Sequence, residues 1–347
     1  MTSAGSGGPA GPMVLVLAGG GSRGAMEVGA LAVLAEHGFR PDHVVGTSAG
    51  ALNAAMVAAL PLPQAVERLI ASWDSPATRA VFHASPRELI RNVAARHAWL
   101  RSDQPLRHLV RTTLRDLEVR RFEDLRLPLS VLVTDFGSGH AERLTQGNLE
   151  EALVASCSVP GIFPPVVSDG HRLVDGGVLE NCSLSTAVEL HPRLVVAIDV
   201  SGAGGPPPDP SFLEVVDRTL GLAQRARLLA DLRIHSERVP IALLCPRPSR
   251  HIGLLEPVDS GALIELTAAA TRGHAAMIFG TGGEPSPGLH DIPVDLAELT
   301  TAGRARPAAA RARPTAAARG ARWTRALARA RREGAWIEVP KAPPEGQ

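Results

Sequence analysis

The stretch Val44-Val45-Gly46-Thr47-Ser48-Ala49-Gly50-Ala51-Leu52-Asn53 constrains this chain more than any other. Two β-branched apolar residues run into Gly-x-Ser-x-Gly, and an Ala-rich run follows. The order reads as strand, sharp turn, helix. Such a turn forces the serine out at its tip, with a helix N-terminus beneath it. Side chains at Gly46 or Gly50 would block the tight crossing of strand and helix. A serine so placed is a candidate nucleophile. The rest of the chain must then supply a base, an oxyanion hole and room for an acyl group.

The flanking sequence gives the turn an architecture. Residues 13–18 are a continuous apolar run, as in a strand buried on both faces. A glycine-rich loop follows, Gly19-Gly20-Gly21-Ser22-Arg23-Gly24, then a helical pattern over 25–37. A second strand is expected at 43–46 and a second helix at 48–60, ended by Pro61 and Pro63. Two β-turn-α units in succession favour a parallel, three-layer α/β/α sandwich. Further strands are expected at 129–135, 171–174, 194–199 and 239–244. Helices are expected at 148–156, 183–190, 211–234 and 259–277, the first capped by Asn148. Residues 64–126 are helical in pattern and rich in Arg, and read as a cap-like insertion. Most of these charges are read as a solvated outer face.

The ends differ from the middle. Residues 1–12 are Gly/Ser/Pro-rich and expected to be flexible; 13–280 form the α/β domain; 281–347 form an Arg/Ala/Pro-rich tail, expected to be disordered. Between Arg304 and Arg332 there are ten Arg and no acid. Removing these and Lys341 from the 36 basic residues, and Glu333, Glu338 and Glu345 from the 35 acidic ones, leaves residues 1–300 with 25 basic against 32 acidic. The tail is therefore positive and the body acidic. Such a tail suits peripheral contact with an anionic membrane surface, although a solvated extension is the simpler reading. No nucleic-acid partner is expected.

Cys157, Cys182 and Cys245 are sparse, odd in number and without metal spacing, which argues for a reducing compartment and no resident metal. No run approaches the roughly 18 apolar residues of a membrane span. A cytoplasmic protein is expected.

The motif is not unique in the chain. Gly20-Gly21-Ser22-Arg23-Gly24 also fits Gly-x-Ser-x-Gly, so Ser22 is a rival nucleophile. Gly19, Gly21 and Gly24 also spell the dinucleotide fingerprint. That site wants an acid at the carboxyl end of the second strand. Here that end is Gly46-Thr47-Ser48, and Asp42 precedes the strand. A third use fits better: the N–H groups of Gly20 and Gly21 can hold the oxyanion of a tetrahedral intermediate. Arg23 can orient the loop, meet a phosphate or make a surface ion pair. For the base, Asp175-Gly176-Gly177 ends an expected strand. A Ser-Asp-His triad, with His191, His235, His251, His274 or His290 last, stays open.

Taken together, the blocks Gly19–Gly24, Gly46–Gly50 and Asp175–Gly177 resemble the patatin-like phospholipase family, particularly its bacterial members. A fourth block, Ala155-Ser156-Cys157-Ser158-Val159-Pro160-Gly161-Ile162-Phe163-Pro164-Pro165, is similar to the family's Ser- and Pro-rich approach to its aspartate. The resemblance covers about residues 13–200. It implies a Ser-Asp dyad without histidine: Ser48 as nucleophile, Asp175 as proton acceptor, Gly20 and Gly21 as oxyanion donors, and Ser22 as a loop residue. It implies a lipid or other acyl-ester substrate and no cofactor. Ala18 departs from a frequent Asp, and Ser183 from a frequent Pro. The alternatives are a dinucleotide-binding oxidoreductase module and a non-catalytic lipid-binding regulator.

Overall fold

The computed structural model describes residues 11–299, apart from 84–85, 203, 206–209, 281–282 and 298. The N-terminal segment before residue 11 and the tail from residue 300 onward lie outside the described residues.

In chain order the elements are β1 Met13–Leu17, α1 Gly24–Glu36, β2 His43–Thr47, α2 Ala49–Ala59, α3 Leu62–Trp73, α4 Pro76–Phe82, α5 Pro86–Ala94, α6 Gln104–Asp116, β3 Leu129–Asp135 and β4 His140–Leu144. There follow α7 Leu149–Ser156, β5 Val166–Ser168, β6 His171–Asp175, α8 Leu184–Val188, β7 Leu194–Ile198, α9 Phe212–His235, β8 Ile241–Pro248, α10 Ser260–Gly273, α11 Ala275–Phe279 and β9 Gly288–Val294.

One sheet carries the strand order β5-β6-β3-β2-β1-β7-β8-β9, with β4 also paired to β3. The run from β3 through β2, β1, β7 and β8 to β9 is parallel, and β4, β5 and β6 add antiparallel pairs. The continuous apolar runs follow from this burial. In β1, Met13, Leu15 and Leu17 face one core, and Val14 and Val16 face another. The first core is covered by α1, α2, α3, α6, α7 and α10. The second lies against α8 and the inner side of α9, where Leu228 is buried. This is the three-layer α/β/α sandwich expected from the sequence.

Several helix starts carry their signals. Asn148 accepts from the Glu151 N–H at 3.3 Å, Asp259 from Ala262 at 3.2 Å, and Ser211 forms a reciprocal capping box with Glu214. The expected helix over 259–277 is divided at His274 into α10 and α11.

The sheet also runs past the boundary expected at residue 280. β9 pairs with β8 from Ala242↔Gly288 to Pro248↔Val294, and Ile292, Val294 and Leu296 are buried in the core. The domain therefore includes residues assigned to the tail from the sequence.

Candidate active site

The site is assembled on β3. A strand has two edges. Over Val131–Asp135 one edge is taken by β4. The other edge is shared: β2 occupies it as far as Thr47↔Leu132, and β6 occupies it from Val133↔Asp175 onward. β2 is parallel to β3 and β6 antiparallel. Their carboxyl ends therefore meet head-on, and the residues at the junction are Ser48 and Asp175.

Ser48 has φ 54° and ψ −126°, a conformation that costs a non-glycine residue about 1–3 kcal/mol and persists only where its surroundings impose it. Ser156, fully buried at the end of α7, imposes it. The Ser48 N–H donates to Ser156 Oγ at 2.8 Å, and Ser156 Oγ donates to the Leu132 carbonyl at 2.7 Å. The Ser48 carbonyl accepts from the Ala51 N–H at 2.8 Å and so starts α2. A Cβ on Gly50 would lie 2.4 Å from the Leu17 carbonyl oxygen, and one on Gly46 2.7 Å from Ala51 Cα. The crossing of β2 and α2 over β1 excludes side chains there, as the sequence suggested.

Asp175 is buried. Burial pushes its carboxyl up to about 6, while hydrogen bonding from the Ser48 hydroxyl and from the Gly177 N–H (2.7 Å) pulls it down. Cys157 is a second neighbour of the Ser48 hydroxyl. Burial, with Asp175 nearby, pushes its thiol well above the usual range, so it stays neutral.

The glycine loop is clamped from two sides. The Gly19 N–H donates to the Asn181 carbonyl at 3.0 Å, and Asn181 Nδ2 donates back to the Gly19 carbonyl at 2.9 Å. The Ser22 N–H donates to the Leu254 carbonyl, and Ser22 Oγ lies 2.7 Å from the Glu256 carbonyl. Ser22 is thus buried, with its hydroxyl taken up by the Leu254 and Glu256 carbonyls. Arg23 is also buried. It donates to the Ile252 carbonyl at 2.7 Å and pairs with Asp217 of α9, so it orients the loop and makes no surface ion pair.

Among the described residues, no hydrogen bond engages the N–H of Gly20 or Gly21. The Ser48 N–H is already committed to Ser156. With the Ala49 N–H at the start of α2, the two glycine N–H groups are among the backbone donors left open beside the nucleophile. Gly21 sits at φ 54°, and a Cβ there would meet the Leu254 carbonyl oxygen at 2.1 Å. That carbonyl, with residues 252–256, also covers the start of α1, where a dinucleotide pyrophosphate would have to dock. Gly24 lies against Trp73 and Ala49, and Gly176 lies over the Leu132 carbonyl.

Two pockets meet at Ser48. One is apolar; Leu69, Trp73, Val81, Leu109, Val110 and Phe163 are among its walls. α2 contributes Leu52 and Met56, and the helices at 62–116 supply much of the rest, so part of the cap-like region does face the serine. The second is smaller, and Asp175, Gly177, Asn181, Asp217 and Gln224 are among the residues that line it. No histidine lines either one among the described residues. His274 and His290 instead bond to the carbonyls of Ala270 and Ser286, and His251 packs beside Asp217. A further group, Asp135, Glu142 and His171, brings its donor atoms within 4.8 Å of one another, with His171 paired to Asp135 at 3.1 Å. None of the three lines either pocket.

Ser156 and Gln224 carry no local sequence signal that would assign them a role. Both are single polar residues whose partners lie far along the chain.

The fold and the elbow define a class: three-layer α/β/α proteins that present a serine on a strained strand-to-helix turn at the carboxyl edge of the sheet. The family model described as Patatin-like phospholipase matches residues 15–188, and the chain belongs to that family. It is 32% identical over 190 residues to Patatin-like phospholipase domain-containing protein 7 of Rattus norvegicus, covering 54% of this chain and 13% of the relative. It is 30% identical over 188 residues to Neuropathy target esterase sws of Drosophila melanogaster, with the same coverage. An uncharacterized NTE family protein of Mycobacterium bovis is 28% identical over 195 residues, 56% of this chain and 51% of that protein. The match thus spans only 13% to about half of the length of these relatives.

Proposed function

We propose that this chain is a serine lipid acyl hydrolase that cleaves fatty acyl esters of phospholipids or related lipids, with Ser48 as nucleophile and Asp175 as its base. The observation that carries this reading is the buried Asp175 carboxyl, with a pKa raised to about 6, beside the hydroxyl of Ser48, which itself opens onto an apolar cavity. A carboxylate of that pKa is a usable base near neutral pH, where an ordinary one is too weak.

Ser48 Oγ attacks the ester carbonyl carbon as its proton passes to Asp175. The oxyanion is held by the N–H groups of Gly20 and Gly21. Collapse breaks the carbon–oxygen bond to the alcohol, which leaves with the proton from Asp175. A water then gives its proton to Asp175 and attacks the acyl-Ser48 ester. Its collapse returns the proton to Ser48 and releases the fatty acid. The acyl chain occupies the apolar cavity. The relatives' names, phospholipase domain and esterase, agree with ester chemistry.

Among the described residues no helix is long and apolar enough to cross a membrane. The proposal places the chain in the cytoplasm, with peripheral contact at the membrane surface. The peripheral contact is supported by α9, which lines the smaller pocket and also exposes Phe212, Val215 and Val216. Co-sedimentation of the full chain with anionic vesicles tests that contact, and its absence at low salt would overturn it.

A fluorophosphonate probe followed by mass spectrometry of the labelled peptide tests the chemistry. Ser48 is the expected site, and Ser48→Ala is expected to lose labelling and activity while keeping its fold. Labelling at Ser22, or full esterase activity in Ser48→Ala, would overturn the assignment.

A further inference from the structure

An ester whose acyl chain fills the apolar cavity must place its alcohol elsewhere. The smaller pocket shares Ser48 with that cavity and borders Asp175, the group that protonates the departing alcohol in the reading above. Its polar side chains are largely committed to one another. Arg23 is held by Asp217 and the Ile252 carbonyl, and Asp217 also accepts from the Leu254 N–H at 3.1 Å.

Two amides remain. Asn181 Nδ2 donates to the Gly19 carbonyl at 2.9 Å, and Gln224 Nε2 donates to the Gly177 carbonyl at 2.7 Å. A carbonyl only accepts, so each amide must turn its nitrogen toward the backbone and leave its oxygen free. Among the described residues neither oxygen has a hydrogen-bond partner, and neither is sealed from solvent. The pocket therefore offers two acceptors and no uncommitted side-chain cation. That pattern is complementary to hydroxyl donors and unsuited to direct contact with a phosphate.

We propose that this pocket binds the leaving alcohol and that Gln224, with Asn181, selects alcohols bearing a hydroxyl next to the ester oxygen, as in a glycerol unit. The inference rests on the acyl-hydrolase reading. Gln224 lies on α9, beyond the residues 15–188 matched by the family model.

The test compares two esters with one acyl chain, 1-lauroylglycerol and propyl laurate, which lacks both hydroxyls. Gln224→Lys keeps a donor for the Gly177 carbonyl and removes the acceptor; Gln224→Met removes both. In each variant kcat/KM for the glycerol ester is expected to fall about tenfold more than for the propyl ester, the scale of one hydrogen bond lost to a substrate. Equal slowing of both esters, or a loss of preference in Gln224→Met with none in Gln224→Lys, would mean that Gln224 only braces Gly177, and would overturn the proposal. Inactivity of the unmodified protein on both esters, without probe labelling of Ser48, would bring down the acyl-hydrolase reading itself.

Discussion

Ser48 and Asp175 are neighbours because β2 and β6 end against each other on one edge of β3, Thr47 opposite Leu132 and Asp175 opposite Val133. A sheet edge that is parallel on one half and antiparallel on the other delivers two carboxyl-terminal strand ends to one point. Among the described residues no histidine lines the pockets at this junction, and in the proposed mechanism the proton chemistry falls to a single carboxyl group.

With Asp175 as the proposed base, kcat/KM is expected to rise with pH through about 6 and then level. Stability moves the other way. A folded pKa raised above the ordinary 3.8 contributes stability that is fully present below about 4 and is lost as pH rises through about 6. Two pH units correspond to ~3 kcal/mol as an order of magnitude. Asp175→Asn is therefore expected to be inactive, and more stable than the unmodified protein at pH 8 but not at pH 4. Denaturant titrations at the two pH values check the sign. A variant no more stable at pH 8 would show that burial does not strain this group.

Ser156 gives a second prediction. Its hydroxyl joins the Ser48 N–H to β3, holding a backbone conformation that the residue would not keep unaided. Removing it orphans a buried N–H, at a cost of about 1–3 kcal/mol in stability. Ser156→Ala is expected to lower kcat about 10- to 100-fold with KM little changed, because the cavity for the acyl chain is intact. Ser156→Thr, which keeps the hydroxyl, is expected to recover part of the rate. A rise in KM with kcat preserved would assign Ser156 to substrate binding instead.

What could be read from the sequence followed burial. β1, β2, β3 and β7 sit inside the sheet with both faces covered, so β1 and β7 are unbroken apolar runs and β2 and β3 keep apolar centres, Val44-Val45 and Val131-Leu132-Val133. The elbow and the Asp175–Gly177 turn could be read because both need glycine at close crossings. β4, His140–Leu144, is partly exposed and polar, and left no comparable trace. The strand β9 hides for a different reason. Only alternate residues of its second half are buried, and Pro293 interrupts the pattern; a proline is tolerated there because β9 is the last strand in the sheet. Ser156 and Gln224 have partners 108 and 47 positions away, and no local periodicity records such a pairing.

The apolar cavity predicts chain-length selection. Val110 and Leu109 of α6 face it from the cap-like region. Val110→Trp adds bulk to the cavity wall and is expected to depress hydrolysis of long-chain p-nitrophenyl esters about tenfold relative to the butyrate ester, since each displaced methylene forfeits about 0.8 kcal/mol of burial. Parallel loss on all chain lengths would show that the chain lies elsewhere.

The position of β9 yields a prediction about where the domain ends. Ending the chain at Gly280 would strip β8 of its outer partner from Ala242 to Pro248 and remove Ile292, Val294 and Leu296 from the core. Each large buried aliphatic side chain contributes about 1.5–3 kcal/mol, so their joint loss rivals the whole stability of an ordinary domain. The exposed edge of β8 would also become a template for pairing with other chains. A chain ending at 280 is expected to be insoluble or to unfold without a cooperative transition. One ending at residue 300 is expected to melt cooperatively, within a few degrees of the full-length protein. A soluble, cooperatively folding 1–280 fragment would show that β9 is an accessory strand and that the boundary read from the composition was the physical one.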